Sequence, residues 1–275
     1  MIGVFDSGVG GLSVWKELVS LMPDQKYIYV SDSGYCPYGP KPKSYIIDRA
    51  LKISEFLISQ GVDLIVVACN TATAAAIEVL RSSFEIPFVG MEPAVKPAAL
   101  QTRSGVIGVL ATQGTFRGEL YLSTLHKFAS NTKVIEQIGT GLVELVEDGM
   151  TDTPQARQLI AKYVEPMVGM GADHIVLGCT HYPFLAGLIK DVAGDDVTIV
   201  NPAPAIARHT VSLLESQGKL VDSAPGDNFF YTTGSNAGLL ESMVNEIVNL
   251  RTDGNSCTDC EKRVVRSNRF CAIGI

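Results

Sequence analysis

No stretch of this sequence stays apolar for long enough to cross a bilayer, because its hydrophobic runs are short and broken by Gly, Asp or Pro. A basic leader segment is missing as well. The opening MIGVFDSGVGGLSV reads as a strand running into a glycine-rich turn, not as a secretion signal. The expected compartment is therefore the reducing cytosol, with the 6 cysteines present as free thiols, catalytic groups or metal ligands. Positive charge is in deficit. With 22 Lys and Arg against 29 Asp and Glu, a net charge of −7 argues against nucleic acid or another polyanion as partner. A small acidic metabolite stays open, since helix N-termini and backbone amides create local positive potential without net charge.

A complete dinucleotide fingerprint is also lacking. Gly8-x-Gly10 follows a strand-like run, and Asp32 closes the next run where a ribose-binding acid would stand. However, Ser13 occupies the third glycine position, and Asp6 and Ser7 put polar groups into the turn. This makes a nicotinamide-dependent oxidoreductase the weaker enzyme reading. In the tail, Cys257 and Cys260 have metal-clasp spacing with Cys271 as a third candidate, but no fourth ligand and no second pair follow. Neither a metal nor an organic cofactor is expected, and residues 256–275 read as a flexible, mildly basic terminus. Cys36, beside Pro37 and Tyr38, reads as packing.

What the chain does contain is alternation. The β-branched runs IGVF, YIYV, DLIVVA, FVGM, VIGVL, KVIEQ, HIVLG and TIVN are separated by amphipathic stretches such as Asp48–Gln60, closed by Gly61, and Pro154–Gly169. Such a pattern predicts an α/β fold with mainly parallel sheets flanked by helices. A length of 275 residues suggests two domains of ~100–200 residues each.

The halves are also related. GVDLIVVACNT at Gly61–Thr71 aligns with GADHIVLGCTH at Gly171–His181, so that Cys69 falls on Cys179 and Asp63 on Asp173. IGVFDSGVG echoes IGVLATQG at Ile107–Gly114, and VGMEPA echoes IVNPA. The expected arrangement is two pseudo-symmetric domains facing a shared cleft, with strand C-terminal ends toward it. The first would comprise 1–94 plus 207–255, the second 95–206, with chain crossings near Ala94 and Ile206.

Both cysteines follow a buried-looking strand and precede a helix, where the helix dipole and amide donors are expected to lower a thiol pKa from ~8.5 toward neutrality. Core filling is the plain alternative for one cysteine. Two at matching positions, beside Asn70–Thr71 and Thr180–His181, favour chemistry. A single nucleophilic thiol needs one base and an oxyanion hole. Two equivalent thiols across a cleft suit a reaction with mirror-related halves: removing a proton from one face of a carbon and returning it to the other, as in racemisation α to a carboxylate.

In order and spacing, DSGVGGLSV at Asp6–Val14, CPYG at Cys36–Gly39, ACNTATAAA at Ala68–Ala76 and LGCTHYP at Leu177–Pro183 resemble the aspartate/glutamate racemase family, and within it the glutamate racemases. The resemblance runs to about Leu250. It implies interconversion of L- and D-glutamate without pyridoxal phosphate or metal, Cys69 acting on the D-enantiomer and Cys179 on the L-enantiomer. It also implies a role in supplying D-glutamate for peptidoglycan, and it is compatible with a homodimer. Asp6 would tune Cys69 or hold the substrate ammonium, unless it only caps the glycine-rich turn. Ser7, with Gly8, Gly10 and Gly11, would let the backbone approach a carboxylate at a helix start. His181 would exchange protons with Cys179, assisted by Glu147, although Glu144 and Asp148 are close in sequence. Tyr38, Gly39, Asn70, Thr71, Thr112, Thr115 and Thr180 resemble the substrate-binding polar set, neutral donors that can stabilise a carboxylate and a developing carbanion. Closure of the domains over the substrate is expected. Aspartate racemase of the same family and a non-catalytic amino-acid-binding protein on the same scaffold are the alternatives.

Overall fold

A computed structural model describes residues 1–220, 228–235, 237–252 and 268–275. The chain begins with β1 (Ile2–Asp6), α1 (Leu12–Leu21), β2 (Tyr27–Ser31), α2 (Lys43–Ser59), β3 (Leu64–Val67), α3 (Asn70–Ser83) and β4 (Phe88–Gly90). It continues with α4 (Val95–Gln101), β5 (Val106–Ala111), α5 (Gln113–Phe116), α6 (Glu119–Phe128), β6 (Lys133–Ile138), α7 (Leu142–Glu147), α8 (Pro154–Gly169), β7 (His174–Gly178), α9 (Ala186–Ala193) and β8 (Thr198–Val200). The last elements are α10 (Ala203–Ser216), β9 (Asn228–Thr232), α11 (Ala237–Thr252) and β10 (Asn268–Ala272).

All strand pairings are parallel, in two sheets ordered β10-β9-β2-β1-β3-β4 and β6-β5-β7-β8. The internal repeat is thus a repeat of topology: β2-β1-β3-β4 and β6-β5-β7-β8 are the same four-strand order. Central strands β1, β3 and β7 are buried along their whole length, because helices cover both faces of a parallel sheet. Edge strand β6 is half exposed and accordingly mixes Lys133 and Glu136 with Val and Ile. Helix α2 buries Ile46, Ala50, Ile53 and Leu57, a 3–4-residue spacing that lays one stripe against the first sheet.

Several matched residues of the repeat have a backbone reason. Gly61 and Gly171 follow the ends of α2 and α8 with φ of 79° and 93°, the left-handed closure that glycine accepts without a Cβ clash. Asp63 and Asp173 then tie down the segment leading into the first strand of each sheet. The Asp63 carboxylate holds the N-terminal ammonium of Met1 at 2.6 Å. The Asp173 carboxylate accepts from the amides of Arg103 and Ser104 at 2.7 and 2.9 Å and from Thr102 Oγ1 at 2.6 Å.

The structure departs from expectation in four places. Helix α2 starts at Lys43, one turn before Asp48, because Pro42 sets an extended entry. The crossing expected near Ile206 falls inside α10, which is one continuous helix packed on α1 and β4. Strand β9 was not foreseen, although the run NFFYT carries strand-forming aromatics. Residues 268–272 of the terminus are not loose but pair with β9 as an edge strand. Cys271 sits there, exposed, while Cys257 and Cys260 lie outside the described residues.

Asp32, the candidate ribose-binding acid, is committed to structure. Fully buried, it receives Arg49 Nε and Nη2 at 3.0 and 2.7 Å, Thr233 Oγ1 at 2.8 Å and the Tyr38 hydroxyl. Arg49 also donates to the Ile275 carbonyl at 2.6 Å. This network fastens the segment carrying Cys36–Gly39 to α2 and to the chain end, and it leaves no free carboxylate for a ribose. Replacing Arg49 by Ala strands a buried carboxylate, so stability measured by urea unfolding should fall by about 3–5 kcal/mol; an unchanged midpoint contradicts this role.

Candidate active site

Open parallel sheets place ligands where neighbouring connections diverge to opposite sides. Here that point lies between β1 and β3 in one sheet and between β5 and β7 in the other. The residues at those strand ends are Asp6, Cys69, Thr112 and Cys179. Both thiols, with Ser7, Asn70 and Thr180, line one narrow cleft between the sheets. They are almost wholly enclosed, at 4% exposure for Cys69 and 6% for Cys179.

Cys69 is the N-cap of α3, its sulfur accepting from the Ala72 amide at 3.4 Å and lying 3.8 Å from Ser7 Oγ. Despite this helix-end donor, the thiol is pushed well above its ordinary range. Burial is the main cause, and the adjacent Asp6 carboxylate adds to it. The expectation of a thiol lowered toward neutrality is therefore corrected for Cys69: one amide donor is outweighed by desolvation and a neighbouring negative charge. Asp6, itself fully buried and raised by desolvation, accepts from the amides of Gly8 and Gly11 at 3.3 and 3.0 Å and from Thr180 Oγ1 at 3.3 Å. It closes the turn and stands behind Cys69. It is not part of the cleft lining, so direct contact with a substrate ammonium finds no support.

The surroundings of Cys179 differ. His181 Nδ1 lies 3.7 Å from its sulfur, and His181 Nε2 is 2.7 Å from Glu147 Oε1. Burial opposes charge on this imidazole, but hydrogen bonds to Cys179, Cys36 and Glu147 overcome it and raise the pKa well above the usual histidine range. These partners favour the charged ring, whose Nδ1 faces the Cys179 sulfur. Glu147 ends α7 and also accepts from the Val9 amide at 2.7 Å, whereas Glu144 and Asp148 are exposed.

That bond explains the glycine-rich loop. A Cβ on Gly8 would fall 1.9 Å from Glu147 Oε1, and one on Gly10 would fall 2.2 Å from His181 Nδ1. A carboxylate does approach the loop backbone closely, as the glycines suggest, but it is the protein's own.

The polar set divides by what each group touches. Thr71 Oγ1 and Thr112 Oγ1 are 2.7 Å apart, and Thr115 Oγ1 lies 3.0 Å from Thr112 and 3.4 Å from the Gly178 carbonyl. Thr71 and Thr112 line the cleft; Thr115 stands outside it and props them. Tyr38 and Gly39 line the cleft, but the Tyr38 hydroxyl is turned away to Asp32. Asn70 is the telling member. Its Oδ1 and Nδ2 are both buried without a partner, a cost of about 1–3 kcal/mol that a ligand could relieve. The cleft lining includes no Lys or Arg.

Two features escaped the sequence. Cys36 packs against the core as read, but its sulfur also faces His181 and Glu147, and burial pushes its thiol up to about 11. Donor atoms of Cys36, Glu147 and His181 all lie within 4.8 Å of one another, close enough to hold a cation, which would compete with the proton on the imidazole. Val143 of α7 also reaches the cleft, without any signal beyond ordinary helix hydrophobicity.

The family model for Asp/Glu/Hydantoin racemase matches residues 2–210. A glutamate racemase of Methylococcus capsulatus is 51% identical over 234 residues, 85% of this chain and 86% of that protein. The crystal structure of a glutamate racemase isoform from Bacillus anthracis superposes with a TM-score of 0.83 at 31% identity, covering 100% of this chain and 97% of the other. That of the Escherichia coli enzyme, in complex with L-glutamate and an activator, UDP-MurNAc-Ala, gives 0.82 at 32% identity, covering 99% and 98%.

Glu147 adds to Cys179 and Cys36 in raising the His181 pKa, so Glu147→Gln should move it down in the direction of its ordinary ~6.5; NMR titration of the ring checks this, and an unmoved pKa contradicts it. A raised folded-state pKa stabilises the fold fully below the unfolded value and ceases to do so as pH rises through the folded value. The stability gap between wild type and Glu147→Gln should accordingly be widest below pH ~6.5 and narrow at alkaline pH.

Proposed function

The chain belongs to the Asp/Glu/hydantoin racemase family, and on that premise we propose that it interconverts L- and D-glutamate by two-base proton transfer between Cys69 and Cys179. One observation carries the reading: two thiols at equivalent strand ends of a duplicated unit line the same buried cleft, beside an Asn70 amide with no protein partner. The relatives' names supply the amino acid. The structure supports the arrangement that the chemistry requires, two proton-carrying groups and a ring of neutral hydrogen-bond donors.

The resting surroundings suit the L-to-D direction. Cys69, raised by burial and Asp6, holds its proton and can deliver it. Cys179 faces the His181 imidazolium, which stabilises negative charge on sulfur while that sulfur takes the α-proton from the L-enantiomer. The C–H bond electrons remain on Cα as the carbanion, and the proton from Cys69 adds to the opposite face. One turnover leaves Cys179 protonated and Cys69 as thiolate, the state from which D-glutamate reacts back. Asn70, Thr71, Thr112, Thr180 and Ser7 would bind the carboxylates and spread the developing charge in a cleft with little room for water. With both thiols so enclosed, substrate entry requires the two sheets to part. In a bacterial cytosol this activity supplies D-glutamate for peptidoglycan. Among the described residues no helix is long and apolar enough to cross a membrane.

Cys69→Ala and Cys179→Ala should each lower kcat for racemisation by about 10²–10⁴-fold, the range for a positioned general acid or base. Polarimetry in both directions checks this, and either variant retaining wild-type turnover rejects the paired-thiol reading. Glutamate should turn over well ahead of aspartate under the same conditions; the reverse order assigns the chain to the aspartate branch.

A further inference from the structure

The catalytic cleft is lined by no Lys or Arg, the whole chain carries a net charge of −7, and the proposed substrate is an anion. Something must offset that repulsion along the approach. A second, larger groove adjoins the cleft, sharing Gly39 and Thr71 with it. Its walls include Lys41, Lys43 and Arg117, with Glu119 as its one acid. The Lys43 and Arg117 side chains are exposed, and neither meets an acidic partner among the described residues. Two helices also begin at this groove, α2 at Lys43 and α6 at Glu119, 17 and 10 residues long, and neither has a side-chain cap on its first amides. Free helix N-termini add partial positive charge where the lysines and arginine already stand.

We propose that this groove is the loading site of the enzyme: Lys43 and Arg117, with the amide ends of α2 and α6, gather the dicarboxylate substrate and pass it by Gly39 and Thr71 into the cleft. The inference rests on the racemase reading for the identity of the anion, but not for the direction of the field. Charged rims on low-dielectric clefts raise local substrate concentration and on-rates by about 10–10³-fold, and the effect falls with salt. Because these groups lie outside the cleft lining, their charge acts on capture and not on the proton transfers.

The test is the double variant Lys43→Glu/Arg117→Glu, with Lys43→Gln/Arg117→Gln as a milder second form; both sites are exposed, so folding is preserved. KM for L-glutamate should rise about tenfold at low ionic strength while kcat changes less than about twofold. The difference should close toward 1 M salt, where the screening length falls to about 3 Å. A second readout needs no turnover. Carboxymethylation of Cys69 and Cys179 by anionic iodoacetate, relative to neutral iodoacetamide, is followed peptide by peptide, and the preference for the anionic reagent should fall in the variant by a similar factor. An unchanged KM together with an unchanged reagent ratio overturns the proposal. Loss of the reagent preference in a protein whose wild type leaves glutamate unracemised would sustain the loading groove and reject the racemase reading instead.

Discussion

One buried hydrogen-bonded charge network holds the two sheets in register across the cleft, and the chemistry depends on it. Glu147, from the second half of the molecule, bonds both to the Val9 amide of the first glycine-rich loop and to His181 beside Cys179. Thr180 donates to Asp6, and Ser13 donates to the Thr180 carbonyl at 2.9 Å. Buried carboxylates of this kind are tolerated only when their acceptor sites are filled. Filling them requires the loop to lie against Glu147 and His181 without side chains at Gly8 and Gly10. The loop sequence, the domain contact and the orientation of His181 are therefore one constraint seen from three sides.

From this follows an asymmetry that the duplicated topology conceals. The same strand-end position is occupied by cysteine in both halves, yet one sulfur sits before a carboxylate and the other before an imidazolium. At Cys69 desolvation and the Asp6 carboxylate both favour the neutral thiol. Two-base proton transfer uses its two groups in opposite protonation states, and near-identical scaffolds with unlike neighbours give the two thiols different surroundings. The cleft lining includes no Lys or Arg, whereas the adjoining groove carries Lys41, Lys43 and Arg117.

Most of the scaffold was legible in sequence because it rests on local signals. Eight strands were visible as β-branched runs, and the Gly61/Gly171 and Asp63/Asp173 matches proved to mark helix closure and strand anchoring in both halves. Strand β10 was not legible: its pairing with β9 is a contact between residues 40 apart, in a segment whose composition reads as solvent-exposed. At the site, the residues themselves were legible from motif order, but their partners were not. Nothing in the sequence shows that the Tyr38 hydroxyl turns to Asp32, that Thr115 stands behind Thr71 and Thr112, or that burial and Asp6 overrule the helix end at Cys69. These are tertiary effects of desolvation, and periodicity does not report them.

The central claim is that protons reach and leave the two faces of one carbon through different thiols. The most direct test is racemisation of L-glutamate in deuterium oxide, stopped at low conversion, with the Cα position of each enantiomer read by NMR after separation. The account predicts D-glutamate carrying deuterium at Cα while the remaining L-glutamate retains protium, since the proton delivered comes from a second group equilibrated with solvent. D-glutamate that keeps the substrate's own hydrogen would show a single base working on both faces, and would contradict it.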